Sequence, residues 1–268
     1  MALFLDVVQG PTGTAAAVAN RTALPDLTLP ASARMITRIW VTGSPYNFNV
    51  AEPWCGYVIV ESNDCLIAPM NVPLEVIPGF VTVGGGVQRE AHKWIVNCPC
   101  PGNTKLSFYV VLDVAQTAAG EVQVNVEFSN GDSPFGAAQM HMTSAEPPVA
   151  LGTADNAAIS LTAIEVKASR LIAIWGYAIQ LQPTADESCQ STVAITSSDF
   201  GESGPFNFSF NSHPGIITNG ASGGLDLTVI ETDRTFKSPA QKQTLNCVVT
   251  TRDAMAGNGR GQWGVVWS

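Results

Sequence analysis

Apolar and polar residues alternate with a period of two along much of this chain. Within residues 121–128 (EVQVNVEF), valines alternate with polar or acidic residues, and within residues 206–210 phenylalanines alternate with Asn207 and Ser209. A period of two is typical of β-strands that bury one face. The pattern therefore predicts strands that pack a hydrophobic face against a second layer.

Strand patterns of this kind recur through both halves of the sequence. The predicted strands are residues 35–42, 57–61, 73–77, 80–83, 93–98, 106–114, 121–128, 160–166, 170–181, 192–196, 206–210, 215–218, 225–233, 244–251 and 262–267. Turn-forming clusters such as Gly84–Gly86 and Pro101–Asn103 separate them. Residues 154–167 form the one helix-compatible stretch, and their β-branched content favours strand. Short strands with regular turns predict an all-β sandwich or barrel.

The two halves of the chain resemble each other. Residues 33–40 (ARMITRIW) align with residues 168–175 (ASRLIAIW), 135 positions later. Four further matches follow in the same order: Cys55 to Asp64 with Cys189 to Asp199, Pro78-Gly79 with Pro214-Gly215, Ala118–Gly120 with Ala254–Gly257, and Phe128-Ser129 with Trp267-Ser268. Ordered matches indicate an internal duplication. The two halves are predicted to share one fold, with Trp40 over Trp175 and Cys55 over Cys189.

Each repeat has the size and strand number of one β-sandwich domain. Seven or eight strands fit an immunoglobulin-like sandwich or a jelly roll, but the Cys…Trp…Cys spacing of the former does not recur. We therefore predict an all-β protein of two tandem eight-stranded jelly-roll barrels. The predicted divisions are an N-terminal arm at 1–26, a first jelly roll at 27–149 and a second at 150–268.

Composition narrows the classes of function. Apolar residues make up 46% of the chain and charged residues 13%, which excludes a disordered protein. The net charge of −9 argues against a strongly cationic nucleic-acid binder. So few charges favour a protein whose faces are partly buried against copies of itself.

No motif predicts catalysis, a cofactor or a metal site. The sequence contains no G-x-S-x-G nucleophile elbow, and Gly84–Glu90 lacks the Gly-Lys-Ser/Thr ending of a phosphate-binding loop. His92, His141 and His213 are scattered without ligand spacing. We therefore expect a non-enzymatic protein without catalytic, cofactor-binding or metal-binding residues.

The cysteines and the N-terminus favour folding in a reducing compartment. Cys98-Pro99-Cys100 lacks the two-residue spacer of a redox or zinc motif, so the six cysteines are expected to be small buried thiols, with a Cys55–Cys65 bridge left open. The N-terminus has no positively charged n-region, and no apolar stretch reaches membrane-spanning length. The apolar tip at residues 3–8 is expected to dock on a neighbouring subunit or a membrane.

Six tryptophans leave a second function open. Trp40 and Trp175 lie in apolar strands and are expected in the core, whereas Trp54, near Glu52, is the best candidate for an exposed sugar-stacking contact. This pattern keeps a carbohydrate-binding or adhesin-type β-sandwich, such as a lectin or a phage fibre or decoration protein, as the alternative.

Two tandem jelly rolls without a catalytic set resemble the double jelly-roll major capsid proteins of tailless icosahedral DNA viruses, the lineage of adenoviruses and of membrane-containing phages and archaeal viruses. The resemblance covers about residues 27–268 and rests on architecture, so no functional residue is carried over. It implies pseudo-hexameric homotrimers that tile an icosahedral shell, in a minimal form without long tower loops. It also implies a protein made in the host cytoplasm and located in the virion. Its implied partners are itself, minor capsid proteins and an internal membrane reached by the N-terminal arm, without sequence-specific binding of nucleic acid.

Overall fold

A computed structural model describes residues 2–11, 21–45, 56–65, 69–76, 91–112, 120–136, 138–145, 149–150, 157–179, 190–200, 206–211, 228–251 and 260–268. These residues form β-strands joined by turns and contain no α-helix. The chain divides into two compact units, Met1–Phe48 with Trp54–His141, and Asn49–Pro53 with Met142–Ser268. The all-β class predicted from the alternation is confirmed, including strand rather than helix within residues 154–167.

The first unit contains nine strands among its described residues. They are β1 (Leu3–Pro11), β2 (Thr22–Ala23), β3 (Leu27–Thr28), β4 (Met35–Pro45), β5 (Gly56–Glu61), β6 (Met70–Val76), β7 (Trp94–Pro99), β8 (Lys105–Leu112) and β9 (Gly120–Ser129). The strands fall into two sets of hydrogen-bonded neighbours. The first set has the order β1-β9-β4-β7. In the second set β2 and β3 both pair with β8, which pairs with β5, which pairs with β6. A short parallel pairing of β4 with β6 connects the two sets.

The second unit repeats this arrangement. Its described strands are β10 (His141–Ser144), β11 (Val149–Ala150), β12 (Ala158–Ser160), β13 (Ile164–Val166), β14 (Arg170–Ile179), β15 (Gln190–Thr196), β16 (Phe206–Asn211), β17 (Thr228–Thr235), β18 (Gln243–Thr251) and β19 (Arg260–Trp267). One sheet places β10 and β11 beside β19, then β14 and β17. The other places β12 and β13 beside β18, then β15 and β16.

Both units have the connectivity of a jelly roll. When interrupted strands are counted as one, each unit has eight strand positions, ordered 1-8-3-6 in one sheet and 2-7-4-5 in the other. Two four-stranded antiparallel sheets linked in this order are the jelly-roll architecture. The prediction of two tandem eight-stranded jelly rolls is therefore confirmed by strand order.

The duplication extends to hydrogen-bond register. The third strand of each unit carries a β-bulge at an equivalent residue, Thr37 in β4 and Ile172 in β14. A backbone hydrogen bond just before each of these strands also recurs. In the first unit the Arg34 N–H donates to Ser129 O, at the end of β9, at 2.9 Å. In the second unit the Ser169 N–H donates to Ser268 O, just after β19, at 2.8 Å. Because bulges fix local twist and register, their recurrence supports descent from one template. Cys55 and Cys189 lie outside the described residues.

The predicted N-terminal arm is in part a strand of the first jelly roll. Residues 3–11 pair antiparallel with β9 from Leu3↔Ser129 to Pro11↔Glu121. The expectation that residues 1–26 form an arm outside the first jelly roll is therefore wrong for residues 3–11. The strand was missed because its apolar run lacks the alternation by which strands are recognised. Its counterparts in the second unit are β10 and β11 on β19. Residues 12–20 lie outside the described part.

The core of each unit lies between its sheets. In the second unit, Trp263 is fully buried in a cluster with aliphatic residues of both sheets, and its indole Nε1 donates to Thr162 O at 2.8 Å. In the first unit, Val122, Val124 and Val126 of β9 are fully buried, as their alternation predicts. The opposite face of β9 lies between β1 and β4 on the other side of this sheet.

Candidate assembly face of the first unit

The side of the β1-β9-β4-β7 sheet that points away from the buried valines is called the outer face. Register places Leu5 beside Glu127 and Val7 beside Asn125, and on the other side of β9 it places Arg38 beside Glu127 and Trp40 beside Asn125. Residues directly opposite on antiparallel strands share a face. The outer face therefore runs from an apolar edge to a centre that carries charges and an aromatic ring.

The edge strand β1 exposes large apolar side chains. Leu3, Leu5 and Val7 are 43%, 57% and 39% exposed, and β1 pairs with β9 alone among the described strands. Phe4 points to the opposite face and stacks on Phe128 with ring centroids 5.5 Å apart. Exposed apolar side chains on an unpaired strand edge favour contact with another chain.

Charges in the centre of the outer face are neutralised within the chain. Glu127 accepts from Thr37 Oγ1 at 2.8 Å, from Arg38 Nε at 2.9 Å and from Arg38 Nη2 at 2.5 Å. The bulge makes this possible, because Thr37 and Arg38 both lie opposite Glu127. Burial alone would raise the pKa of Glu127, but the hydrogen bonds from Arg38 and Thr37 together hold it below its ordinary value.

Two cations of this region, Arg38 and Lys93, also lie over aromatic rings. The Arg38 guanidinium is 4.5 Å from the centroid of Phe135, and Lys93 Nζ is 5.4 Å from that of Trp40. Such contacts satisfy a cation without a carboxylate. Arg38, Glu127 and Lys93 all have partners within the chain. The apolar edge is therefore the part of the outer face that binding of another chain would stabilise most.

Replacing Glu127 with glutamine is expected to flatten the acid limb of the first unit's stability curve. Because the folded-state pKa of Glu127 lies below its ordinary value of 4.5, the ionised group stabilises the fold above that value, and this stabilisation disappears as the pH falls through the folded pKa. At pH 7 the Glu127→Gln variant should lose about 1 to 3 kcal/mol, because Arg38 keeps only a neutral partner. Urea unfolding at pH 7, 5 and 3 measures both effects.

Lys105→Gln is the control, because its partner Asp26 is also acidic but the pair is exposed on the surface. This variant should change the unfolding midpoint at pH 7 by much less. A Glu127→Gln curve parallel to that of the wild type at all three pH values would contradict the expectation.

In the second unit, the equivalent face carries apolar residues at the corresponding positions. Ala173 stands where Arg38 stands in the first unit, Trp175 replaces Trp40, and Gly264 replaces Asn125. Trp175 is fully buried, and a Cβ on Gly264 would lie 2.2 Å from its ring atoms Cε2 and Cζ2. The indole therefore lies directly over the glycine backbone. The two units share a backbone template and differ in the chemistry of this face.

No family model matches the chain, and no curated protein matches it. Among solved structures, the chain is similar to the STIV MCP, at 9% identity and a TM-score of 0.49, over 100% of this chain and 96% of that one. It is similar to PNGase F, a glycosylasparaginase from Flavobacterium meningosepticum, at 11% identity and a TM-score of 0.41, over 98% and 96%. It is also similar to a chain of the Sputnik virophage, at 8% identity and a TM-score of 0.33, over 98% and 85%. The fold assignment rests on strand order and register rather than on these likenesses.

The expectation that Trp40 and Trp175 lie in the core is confirmed for Trp175, which is fully buried, and is wrong for Trp40. Ile39 and Ile174 face the core, so alternation turns the next residue of each strand to the opposite face. Trp175 is buried there, whereas Trp40 is half-buried beneath Lys93. Trp54 and Glu52, the candidates for a sugar contact, lie outside the described residues.

Histidines and acidic residues do not converge on a metal site within the described part of the chain. His92 packs on Trp94 with ring centroids 4.2 Å apart, and burial lowers the pKa of His141 in β10. His213 and the glycines at 84–86 lie outside the described residues. Among the described residues, no helix is long and apolar enough to span a membrane.

Sequence reasoning missed a polar surface cavity of about 390 Å³. It is lined by Glu61, Ser62, Asn63, Asp64, Pro69, Lys105, Ser107 and Tyr109. Asp64 Oδ2 accepts from the Lys105 backbone N–H at 2.8 Å, and the ammonium of Lys105 contacts Asp26 at 2.6 Å. These residues come from distant segments without a shared motif, so only the register of β5 and β8 brings them together.

Proposed function

We propose that this chain is a viral major capsid protein whose homotrimers, each with six jelly rolls, tile an icosahedral shell as pseudo-hexamers. The observation that carries the proposal is the presence of two jelly rolls with the same strand order and register in one chain. A trimer of such chains presents six similar barrels around its axis, which suits a lattice position with six neighbours. Location in the virion and synthesis in a host cytoplasm belong to the same proposal.

The apolar edge of β1 supplies a contact between copies. Leu3, Leu5 and Val7 are exposed in the isolated chain, and burying them against a second copy removes apolar surface from water. The adjacent charges already have partners within the chain. A neighbouring copy therefore meets this face without leaving a charge unpaired. Minor capsid proteins and an internal membrane are further partners within the proposal.

Leu5→Lys is expected to weaken trimer formation without unfolding the chain. Leu5 is 57% exposed, so the fold tolerates a lysine there, but burying that lysine between copies is costly. The protein concentration at half-trimerisation should rise about tenfold or more. Sedimentation velocity over a concentration series measures this shift, and negative-stain micrographs report shell-like assemblies.

Thr244→Lys, at an exposed position of β18 in the second unit, is the matched control and should assemble like the wild type. A wild-type chain that stays monomeric at every concentration and salt tested would overturn the capsid proposal. If that monomer bound defined glycans on an array, a carbohydrate-binding sandwich would replace it. Equal assembly of Leu5→Lys and wild type would exclude β1 from the contact.

A further inference from the structure

Three cysteines of the first unit lie close together where β7 ends. Cys98 is fully buried near the end of β7, and Cys100, just after the strand, is 6% exposed. Cys65 is half-buried in the turn that follows β5. Because β5 and β7 belong to different sheets of the jelly roll, the turn brings a thiol from one sheet against thiols of the other.

The same three positions contact one another in the second unit. Register equates Cys98 with Arg234 and Cys100 with Phe236, and Cys65 corresponds to Phe200, 135 positions later. Phe200 and Phe236 form a β-bridge with ring centroids 5.5 Å apart, and the Arg234 guanidinium lies 5.8 Å from the Phe200 ring. The juxtaposition is thus a property of the repeated fold. The first unit places thiols there.

In the first unit the side chain of Cys65 lies next to that of Cys98, as the equivalent Phe200 lies next to Arg234 in the second unit. Gln139 Nε2 donates to Cys98 Sγ at 3.7 Å, which helps to fix the position of that sulfur. We propose that Cys65 and Cys98 form an oxidation site whose two thiols join in a disulfide when the folded protein meets a low-molecular-weight disulfide such as oxidised glutathione. The proposal is independent of the capsid function.

The order in which the two thiols react follows from their pKa values and their exposure to solvent. The contact with Cys65 and burial raise the pKa of Cys98, and burial raises the pKa of Cys100 to about 11. Both thiols are therefore protonated at neutral pH and are poor first nucleophiles. Cys65 is the more accessible of the three and reacts first.

The exchange balances in two steps. In the first, the Cys65 thiolate attacks the oxidant RSSR, forming a mixed disulfide and releasing RS⁻. In the second, Cys98 loses its proton and attacks the Cys65 sulfur, forming the Cys65–Cys98 bond and releasing the second RS⁻. The two protein thiols are oxidised by two electrons, the oxidant is reduced to two RSH, and the protons of the protein thiols end on these leaving groups.

The bridge would link the two sheets of the first unit. It would close a loop between residues 33 positions apart that contains β6 and much of β7. Closing such a loop restricts the unfolded chain, so the melting temperature of the first unit should rise by about 6 to 12 °C on oxidation and return on reduction.

The test uses the full chain carrying Cys55→Ser and Cys100→Ala. In this background Cys65 is the one cysteine of tryptic peptide 39–89, and Cys98 is the one cysteine of peptide 94–105. The folded, reduced protein is incubated with oxidised glutathione and digested without reduction. We expect a cross-linked peptide pair 2 Da lighter than the sum of its parts, two fewer titratable thiols, and the rise in melting temperature.

A matched variant with Cys65→Ser added should show neither the cross-link nor the thermal shift. The proposal would be overturned if the folded protein kept both thiols or held only a glutathione adduct at Cys65 after prolonged oxidation. A wild-type link between the two peptides that disappears on Cys100→Ala alone would assign the bond to Cys100 and overturn the pairing with Cys98.

Discussion

Deleting residues 2–11 is expected to destabilise the first jelly roll severely. The deletion removes all of β1 and its nine residue pairings with β9. It also removes the Phe4 ring stacked on Phe128 and the hydrogen bond from Ala2 N to Asn130 Oδ1 at 3.0 Å. These losses together should cost at least about 3 kcal/mol, because several backbone hydrogen bonds and a partly buried aromatic contact disappear.

Hydrogen–deuterium exchange locates this effect within the full chain. Amide exchange in residues 120–129 should accelerate at least about tenfold, since opening free energies fall by more than 1.4 kcal/mol. Residues 260–267, which form the equivalent strand of the second unit, serve as the internal control and should keep their protection. Leu5→Lys, which retains β1, should leave protection in residues 120–129 unchanged.

Unchanged exchange in both strands after the deletion would show that β1 is a frayed terminus. In that case the first jelly roll is complete without it. The deletion therefore separates a structural strand from a detachable arm, whereas Leu5→Lys isolates the contribution of the same segment to assembly.

The strands of the cores were predictable because one face of each is buried. In β9, Val122, Val124 and Val126 are buried, and the period of two follows directly. The internal repeat could also be recognised from the sequence. A β-bulge follows Ile36 in one unit and Leu171 in the other, so the residues from the bulge to Trp40 and to Trp175 keep the same spacing. Local pattern and duplication together were sufficient to predict the double jelly roll.

β1 was missed because its apolar residues lie on both faces. Phe4 stacks on Phe128 on one face and is still 42% exposed, while Leu3, Leu5 and Val7 are exposed on the outer face. A strand with apolar residues on two sides shows no alternation, so the sequence resembles an unstructured apolar tip. Strand pairing supplies the missing information, since the register with β9 assigns each side chain to a face.

The polar cluster around Glu127 and the thiol cluster around Cys98 could not be predicted, because their members lie far apart in the sequence. Glu127 meets Thr37 and Arg38 from about 90 positions away, and Cys65 meets Cys98 from 33 positions away. Neither cluster has a spacing that marks it. The duplication does provide one usable signal: residues equivalent by the repeat occupy the same neighbourhood, so contacts found in one unit identify neighbours in the other.

Gly264→Ala is expected to be among the most destabilising single substitutions in the second unit. The added methyl carbon would lie 2.2 Å from Cε2 and Cζ2 of Trp175, well inside van der Waals contact. Trp175 is fully buried, so its ring has no open space into which to move. Overpacking of this kind usually costs about 1 to 3 kcal/mol, and a rigid aromatic ring at this distance favours the upper end. Urea unfolding followed by tryptophan fluorescence should show a lower midpoint than that of the wild type.

A double-mutant cycle with Trp175→Leu identifies the cause. Leucine lacks the ring atoms that meet the new methyl group, so Gly264→Ala should cost much less in that background, with a coupling of about 1 to 3 kcal/mol. Asn125→Ala at the equivalent position of the first unit is the matched control, because a Cβ is already present beside Trp40. If Gly264→Ala were equally costly with Trp175 and with leucine, the ring would not be the reason for the glycine. The strain would then lie in the backbone of β19, and the difference between the two units would begin with backbone conformation rather than side-chain packing.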